Sequence, residues 1–339
     1  MSADGNSPVS VTVLGAGSWG TALAIHLANA GSAVTLWGNE PDHMERLQQQ
    51  RCNQQFLPDI PFPDNLMVQP DLALALKSAR WILLAIPSHA FRTFLAGARP
   101  LIDAETAVTW ASKGLEEGTG KLLHQVVMEE LPQCSKFAVI SGPTFAREVA
   151  IGLPTAITVA SDSELLANEI TRNLHHGSFR AYTSHDVIGV ELGGALKNAL
   201  AIAAGIADGL GFGANARAAL ITRGLAELMR LGVTMGGSRE TFMGLAGMGD
   251  LVLTCTDNQS RNRRMGLLLA EGLSKEAVKK QIGQEIEGVR TAREAMQLAQ
   301  KYQVELPIIE QVYKVLYEEL APREAVRHLL ERRPTTETN

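Results

Sequence analysis

Cysteine is scarce in this chain, which has only three cysteines among 339 residues. Cys52, Cys134 and Cys255 lie far apart and lack the paired spacing of metal ligands. This pattern argues against a disulfide framework and against a structural zinc site. We therefore expect buried, reduced thiols and no bound metal.

Basic residues are also too few for a typical nucleic-acid-binding protein. Lys and Arg number 31 against 36 Asp and Glu, which gives a formal net charge of −5. An acidic chain binds the phosphate backbone of nucleic acids poorly, so we expect no nucleic-acid partner. A local basic cluster can still hold a small anionic ligand.

Long apolar runs without polar residues are missing as well. The most apolar stretch of helical length, residues 192–210, contains Lys197, Asn198 and Asp208. It therefore predicts a buried core helix and no membrane insertion. The opening segment MSADGNSPVS has no basic region followed by an apolar run, so we expect no signal peptide and a cytoplasmic location.

Strand-like runs alternate with helical segments through the first half of the chain. The runs are SVTVLG (10–15), AVTLWG (33–38), WILLAIP (81–87), AVTWAS (107–112), FAVISG (137–142) and TAITVAS (155–161). This alternation predicts a mostly parallel sheet with crossover helices. The proline-rich segment LPDIPFPD (57–64) predicts an ordered surface loop.

Strand-like runs end near residue 185, and helical segments rich in Ala, Leu and Gly follow. They cover about 186–209, 215–232, 259–271, 287–303 and 306–319. A chain of this length favours two domains. We therefore predict an α/β domain over residues 1–187 and an all-α domain over residues 188–339.

The first strand and helix enclose a glycine motif with the spacing G-x-G-x-x-G, formed by Gly15, Gly17 and Gly20. An apolar strand before it and a helix after it, ending near Gly31, are the context that the dinucleotide-binding motif requires. The first glycine permits a tight turn, the second lets the backbone approach a pyrophosphate, and the third allows close packing of helix on strand. The N-terminal domain is therefore predicted to be a Rossmann domain that binds NAD or NADP.

The choice between NAD and NADP stays open. An acidic residue after the second strand favours NAD, whereas a nearby arginine favours NADP. Here the strand ends in WGNE, so Asn39 takes the selecting position and Glu40 follows. Arg46 or Arg51 would reach a 2′-phosphate only if folded inward, and each fits better as a solvated charge on a helix face.

Two loops after strands carry candidate substrate ligands. In ASKGLE (111–116), a strand ends and Lys113 follows in a loop that can meet an anion. In ISGPTFARE (140–148), a strand ends at Gly142, and Pro143 suits the first position of a helix whose N-terminus and Thr144 can hold an oxygen-rich ligand.

Lys197 and Asn198 are polar residues within the apolar helix. Burying a lysine is costly unless the ammonium is paired or functional, and we favour a functional role over a structural ion pair. Gly193 and Gly194 lie in the preceding turn, over which the lysine side chain leans. We expect them to leave space there for a substrate and a nicotinamide ring.

Further polar residues follow in GLAGMGDLVLTCTDNQSRNRR (244–264). Asp250 lies in a glycine-rich bend, and Thr254 follows one helical turn later.

The segment SRNRR (260–264) groups hydrogen-bond donors that suit a phosphate. Arg261 and Asn262 are the residues that we expect to face inward, while Arg263 and Arg264 fit a surface charge run.

Together these segments resemble the bacterial-type NAD(P)-dependent glycerol-3-phosphate dehydrogenase family. The resemblance extends from about residue 10 to 330. It is carried by GAGSWGTALA, PSH (87–89), ASKGLE, ISGPTFA, GGALKN, FGANARAALITRGLAE (212–227), the 244–264 segment and GQEIEG (283–288). It implies an N-terminal Rossmann domain, an all-helical C-terminal domain and interconversion of dihydroxyacetone phosphate and sn-glycerol 3-phosphate for glycerophospholipid biosynthesis.

The resemblance also implies roles for individual residues. Lys197 would be the proton acceptor, with Lys113, Asp250 and Asn198 around the reacting centre. The substrate would contact Lys113, Gly142, Thr144, Lys197, Asp250, Ser260, Arg261 and Asn262. The coenzyme would contact Gly15, Gly17, Ser18, Trp19, Gly20, Asn39, Lys113, Ala146, Arg261, Glu285 and Glu287.

Two other functions are compatible with parts of this pattern. A 3-hydroxyacid dehydrogenase or ketopantoate reductase also combines a Rossmann domain, a helical domain and a catalytic lysine, but SRNRR favours a phosphate over a carboxylate. A regulator that senses NAD(P) would need no buried lysine beside Asp250. A homodimer is expected only because twofold dimers are common.

Overall fold

The computed structural model describes residues 9–77 and 79–332. The chain divides into two units: unit 1 runs up to Glu116 and again from Lys121 to Glu191, while unit 2 comprises Glu117–Gly120 and the chain from Leu192 onward. Most of the segment inspected for a signal peptide, residues 1–8, lies outside the described residues, as do residues 333–339 of the predicted C-terminal domain.

The described residues of unit 1 form ten β-strands. They are β1 (Ser10–Leu14), β2 (Ala33–Trp37), β3 (Cys52–Asn53), β4 (Leu57–Pro61), β5 (Leu66–Val68), β6 (Trp81–Leu84), β7 (Ala107–Trp110), β8 (Phe137–Ser141), β9 (Thr155–Ala160) and β10 (Phe179–Ser184). Eight form one sheet in the order β10-β9-β8-β7-β6-β1-β2-β5, while β3 and β4 pair separately. The only antiparallel pair recorded in the larger sheet over the described residues is β8 with β9. The predicted, mostly parallel sheet is therefore confirmed.

The segment 57–64 is not simply the surface loop that its prolines predict. Its first five residues form β4, which pairs with β3. Leu57 and Ile60 are buried in the core of unit 1. Their burial holds the segment in place, and the prolines are tolerated because this short strand lies outside the main sheet.

Seven α-helices and two short 3-10 helices, Ser88–Ala90 and Arg99–Leu101, accompany these strands in the described residues. The α-helices are α1 (Ser18–Asn29), α2 (Pro41–Gln50), α3 (Leu72–Leu76), α4 (Phe91–Ala98), α5 (Leu123–Glu130), α6 (Ala146–Ala150) and α7 (Glu164–Leu174). Gly31 ends the α1 region with φ of 94°, as predicted. The prediction that a helix starts at Pro143 is wrong, because α6 begins at Ala146.

Helices dominate the remaining chain. They are α8 (Val187–Gly209), α9 (Gly213–Thr234), α10 (Arg239–Met243), α11 (Asp250–Thr256), α12 (Arg261–Ala270), α13 (Lys275–Ile282), α14 (Glu287–Tyr302), α15 (Pro307–Tyr317) and α16 (Pro322–Leu330), with a π-helical turn at Leu245–Gly249. The sequence pattern predicts the five longer segments and misses α10, α11, α13 and α16.

Helix α8 is long and apolar enough to cross a membrane by composition alone, but 94% of its most apolar window is buried inside the protein. The predicted core helix is therefore confirmed. A methyl group on Gly205 of α8 would overlap the backbone at Arg263, and one on Gly266 would overlap the backbone at Ile202. These glycines let α8 and α12 pack in direct backbone contact.

The three cysteines are free thiols. Cys134 and Cys255 are buried as expected, whereas Cys52 is half-buried at the start of β3. Among the described residues, no three His, Cys, Asp or Glu side chains are grouped in a way that would hold a metal ion.

Candidate active site

The glycine turn between β1 and α1 is shaped by close packing at two of its three glycines. Gly15 adopts φ of 121°, and a methyl group there would lie 2.5 Å from the carbonyl oxygen of Ala85. A methyl group on Gly20 would overlap the carbonyl oxygen of Gly15. These contacts match the roles of tight turn and helix packing assigned to the motif.

Gly17 differs, because no atom lies within 4 Å of the place that its Cβ would occupy. It precedes Ser18, the first residue of α1, so the first-turn N–H groups of the helix border this open space. The buried Nε1 atom of Trp19 has no hydrogen-bond partner among the described residues. Open space, helix N–H groups and an unsatisfied donor together fit the pyrophosphate of a dinucleotide.

Lys113 gathers several predicted substrate ligands around its ammonium group in unit 1. The Nζ atom donates to the carbonyl oxygen of Gly142 at 2.8 Å and to Thr144 Oγ1 at 3.3 Å. It also lies 6.0 Å from the centroid of the Trp19 ring. The bonds from Lys113 and Thr144 to the Gly142 carbonyl hold this segment out of the helix, which explains why α6 starts later, at Ala146.

Asn39 is exposed after β2, where a coenzyme-selecting residue is expected. Arg51 is not the solvated helix-face charge that the sequence suggests. It ends α2 with φ of 50°, and its guanidinium donates to the carbonyl oxygens of Pro63 and Leu66, both at 2.7 Å. Arg46 is exposed and binds a neighbouring glutamine. The Arg51 guanidinium is thus bonded to backbone carbonyl oxygens within its own unit.

Lys197 of α8 is buried in unit 2 and paired with two residues of α11. Its Nζ atom donates to Asp250 Oδ1 and, at 2.9 Å, to Thr254 Oγ1. Lys197 is 5% exposed and Asp250 is completely buried. Thr254 in turn donates to the carbonyl oxygen of Asp250 at 2.6 Å. The spacing of Asp250 and Thr254 places them one turn apart, but the sequence gives no role to Thr254.

The expected space at Gly193 is not present. A methyl group on Gly193 would overlap the carbonyl oxygen of Ala246, in the π-helical turn. The glycine instead allows this turn to pack directly on α8. Since Asp250 immediately follows the turn, this packing brings its carboxylate to Lys197.

Asn198 and Asn262 connect the helices of the same region. Asn262 Nδ2 donates to Asn198 Oδ1 at 2.9 Å, and Asn262 Oδ1 accepts from the Gly288 N–H at 2.9 Å. A methyl group on Gly288 would lie 2.5 Å from the carbonyl oxygen of Asn198. Gly288 ends the GQEIEG segment but has no role predicted from sequence; its importance appears only from this close approach of α14 to α8.

Ser260 and Arg261 form the start of α12. Ser260 Oγ accepts from the Arg263 N–H at 3.1 Å and caps the helix. Burial lowers the pKa of the Arg261 guanidinium, and the nearby carboxylates of Glu287 and Glu285 oppose that shift. Within the part of the chain that the structure describes, Arg261 has no hydrogen bond or ion pair through its side chain. A desolvated guanidinium of this kind suits an anionic ligand.

The acidic residues of the GQEIEG segment have different surroundings. Glu285 forms an ion pair with Arg290 of α14. Glu287 is the first residue of that helix and contributes to the field at Arg261. Arg263 is buried, so its assignment to a surface charge run is wrong, whereas Arg264 is exposed.

Comparisons with known proteins cover both halves of the chain. Residues 10–167 match the family model described as NAD-dependent glycerol-3-phosphate dehydrogenase N-terminus, and residues 186–327 match the corresponding C-terminus model. A glycerol-3-phosphate dehydrogenase [NAD(P)+] of Bartonella henselae is 56% identical over 96% of each chain. One from Escherichia coli is 54% identical over 95% of this chain and 96% of its own.

A solved structure gives the same result. The crystal structure of glycerol-3-phosphate dehydrogenase from Coxiella burnetii superposes with a TM-score of 0.93 at 50% identity, covering 96% of this chain and 99% of that one. The chain therefore belongs to the NAD-dependent glycerol-3-phosphate dehydrogenase family and is an NAD(P)-dependent oxidoreductase that interconverts dihydroxyacetone phosphate and sn-glycerol 3-phosphate.

Proposed function

We propose that Lys197 is the acid–base residue of this reaction, and the observation that carries the proposal is its buried contact with Asp250 and Thr254. The nicotinamide coenzyme, when bound, supplies the hydride that reduces C2 of dihydroxyacetone phosphate. Lys197 donates a proton to the C2 oxygen during reduction and removes it during oxidation. A positioned acid–base group typically contributes about 10²–10⁴-fold to the rate.

Asp250 and Thr254 fix the position of the Lys197 ammonium. The Asp250 carboxylate offsets the cost of burying the lysine, and the Thr254 hydroxyl accepts a second N–H from it. Asn198, the next residue along α8, completes the proposed set of reacting-centre residues together with Lys113 of unit 1.

Arg261 and Asn262 are proposed to bind the substrate phosphate, with Ser260 beside them. The planar guanidinium offers paired N–H donors that match two phosphate oxygens. Binding energy from the phosphate then fixes C2 for reaction, so the remote group contributes to the rate. Lys113, Gly142 and Thr144 are the proposed substrate contacts in unit 1.

The coenzyme contacts are proposed to follow the glycine turn. The residues concerned are Gly15, Gly17, Ser18, Trp19, Gly20, Asn39, Lys113, Ala146, Arg261, Glu285 and Glu287. The open space at Gly17 and the unsatisfied Trp19 Nε1 support this part of the proposal.

The test replaces Lys197 with methionine and follows NADH and NADPH absorbance after addition of dihydroxyacetone phosphate. We expect Lys197→Met to lose at least about 100-fold in kcat while NADPH binding, measured by fluorescence, persists. Lys280→Met, on an exposed position of α13, is the matched control. Turnover close to wild type in Lys197→Met would exclude the assignment. Ketopantoate and 3-oxoacids, tested in the same assay, should not be reduced.

The location, the oligomeric state and the metabolic role of the protein are also matters of proposal. We propose a cytoplasmic homodimer that supplies sn-glycerol 3-phosphate for glycerophospholipid synthesis. Burial of α8 supports the absence of membrane insertion. Light scattering of the purified protein tests the dimer, since one chain has a mass of 36.5 kDa and two chains have 2 × 36.5 = 73.0 kDa.

A further inference from the structure

Arg263 is buried in unit 2, although it lies in a basic segment. Its side chain is 8% exposed, whereas the adjacent Arg264 is exposed to solvent. Taking a guanidinium out of water is strongly unfavourable unless its charge and its N–H groups are matched. The hydrogen bonds and the ion pair of Arg263 offset the unfavourable free energy of burying its guanidinium.

Three elements supply partners to the Arg263 guanidinium. One amino group binds Asp208 Oδ2 at 2.5 Å, near the end of α8. The Nε atom donates to the carbonyl oxygen of Cys255 at 3.1 Å, near the end of α11. The other amino group donates to Asn258 Oδ1, in the loop before α12.

The Cys255 side of these contacts is buried, whereas Asn258 is exposed. Burial raises the pKa of the Cys255 thiol to about 12, so the thiol stays neutral beside Arg263. Asp208 is itself 9% exposed through its side chain and also binds Arg217 at 2.9 Å. Ion pairs in such surroundings are stronger than those in water, and breaking one partner leaves an uncompensated charge.

The elements that Arg263 joins are those that carry the proposed reaction chemistry. Helix α8 carries Lys197, α11 carries Asp250 and Thr254, and α12 begins with Arg261. The backbone of Arg263 also packs against Gly205 of α8 without room for a methyl group. A shift of Arg263 would therefore move the first turn of α12 relative to α8 and α11.

We infer that Arg263 is a positioning residue for phosphate recognition. By binding Asp208, Cys255 and Asn258, it fixes the loop 257–259 and the first turn of α12. It thereby sets the position at which Arg261 and Asn262 meet the substrate phosphate. This inference rests on the proposed role of Arg261 and Asn262 and assigns Arg263 no contact with substrate.

The test compares a phosphorylated with an unphosphorylated substrate. Arg263→Ala is assayed with dihydroxyacetone phosphate and with dihydroxyacetone, and the ratio of the two kcat/KM values reports phosphate recognition. We expect this ratio to fall at least about tenfold, chiefly through a higher KM for dihydroxyacetone phosphate. Arg264→Ala is the matched control and should retain the wild-type ratio.

Conservative variants keep the test decisive if Arg263→Ala does not fold. Arg263→Lys retains the charge without the planar fork, and Asp208→Asn removes the charge of its partner. Each should lower the ratio to a value between those of wild type and Arg261→Ala. The positioning role would be overturned if these variants lowered kcat/KM equally for dihydroxyacetone phosphate and dihydroxyacetone. It would also be overturned if they lowered neither value.

Arg261→Ala separates this inference from the proposed function. If Arg261→Ala leaves the ratio unchanged, the phosphate assignment itself is wrong, and the inference is overturned with it. If Arg261→Ala lowers the ratio but the Arg263 and Asp208 variants do not, only the positioning role is wrong.

Discussion

Gly17 and Gly20 belong to the same turn but have different surroundings. The place of a Gly17 Cβ is open, and its φ of −77° is accessible to alanine. A Gly20 Cβ would overlap the carbonyl oxygen of Gly15. Gly17 therefore leaves room for the ligand, while Gly20 allows α1 to pack on β1.

Alanine substitution should separate these two roles. We expect Gly17→Ala to keep the wild-type melting temperature but to raise the Kd for NADPH at least about tenfold, since a methyl group intrudes where the pyrophosphate approaches. Gly20→Ala should instead destabilise the fold by about 1–3 kcal/mol through overpacking. Thermal melts and fluorescence titrations of both variants provide the check. Loss of stability in Gly17→Ala, or its absence in Gly20→Ala, would contradict this division.

Some residues of the site are predictable from local sequence, and others are not. Gly15, Gly17 and Lys197 stand out because a motif or a polar residue in an apolar helix is visible without tertiary structure. The partners of Arg263 are not visible in this way, because Asp208 lies 55 residues away. The same applies to Gly193, whose contact with Ala246 depends on how the π-helical turn packs.

At the scale of elements, Glu227 joins α9 to the start of α15. Its Oε1 atom accepts from the Ile308 N–H at 2.7 Å, and Oε2 accepts from the Ile309 N–H at 3.2 Å. Pro307 precedes them and has no N–H, so this carboxyl group satisfies the two donors at the beginning of α15. Burial raises the pKa of Glu227 to about 7, although both backbone hydrogen bonds lower it.

The raised pKa makes this junction sensitive to pH. The folded state holds the Glu227 proton more tightly than the unfolded chain, whose glutamates titrate near about pH 4.3. The resulting stabilisation is complete below that pH and is lost as the pH rises through about 7. Glu227→Gln cannot ionise, so its free energy of unfolding should fall less than that of wild type between pH 5 and 8.5, by up to about 3 kcal/mol.

Urea unfolding of both proteins at the two pH values measures this difference. Glu276→Gln, at an exposed position of α13, controls for the loss of one carboxylate and should follow wild type. An identical pH dependence for Glu227→Gln and wild type would show that Glu227 does not titrate in this range.

The elements themselves differ in how clearly the sequence predicts them. Buried strands such as β6 are continuous apolar runs and are predicted directly. The edge strand β10 alternates buried Phe179 and Ala181 with exposed Arg180 and Tyr182. That period-two signal is short and polar, so it is missed, as are short helices such as α13 and α16, whose stability comes from tertiary packing.

At the scale of the whole molecule, the division between the units falls inside a helix. Unit 1 ends at Glu191 and unit 2 resumes at Leu192, yet α8 continues from Val187 to Gly209. Domain boundaries usually lie in exposed, polar or glycine-rich linkers. Val187 and Val190 are buried before this boundary and Leu192 is buried after it, so one continuous helix contributes apolar side chains to both units.

We therefore expect the chain to unfold in one cooperative transition, unlike many two-domain proteins. In scanning calorimetry, the calorimetric and van't Hoff enthalpies should agree. NADPH at 100 times its Kd adds about 2.7 kcal/mol of stability and should move the whole peak upward by a few degrees. Two peaks, of which NADPH moves only one, would show that α8 does not couple the units. In that case α8 must be able to unfold on one side of Glu191 while the unit on the other side of this residue remains folded.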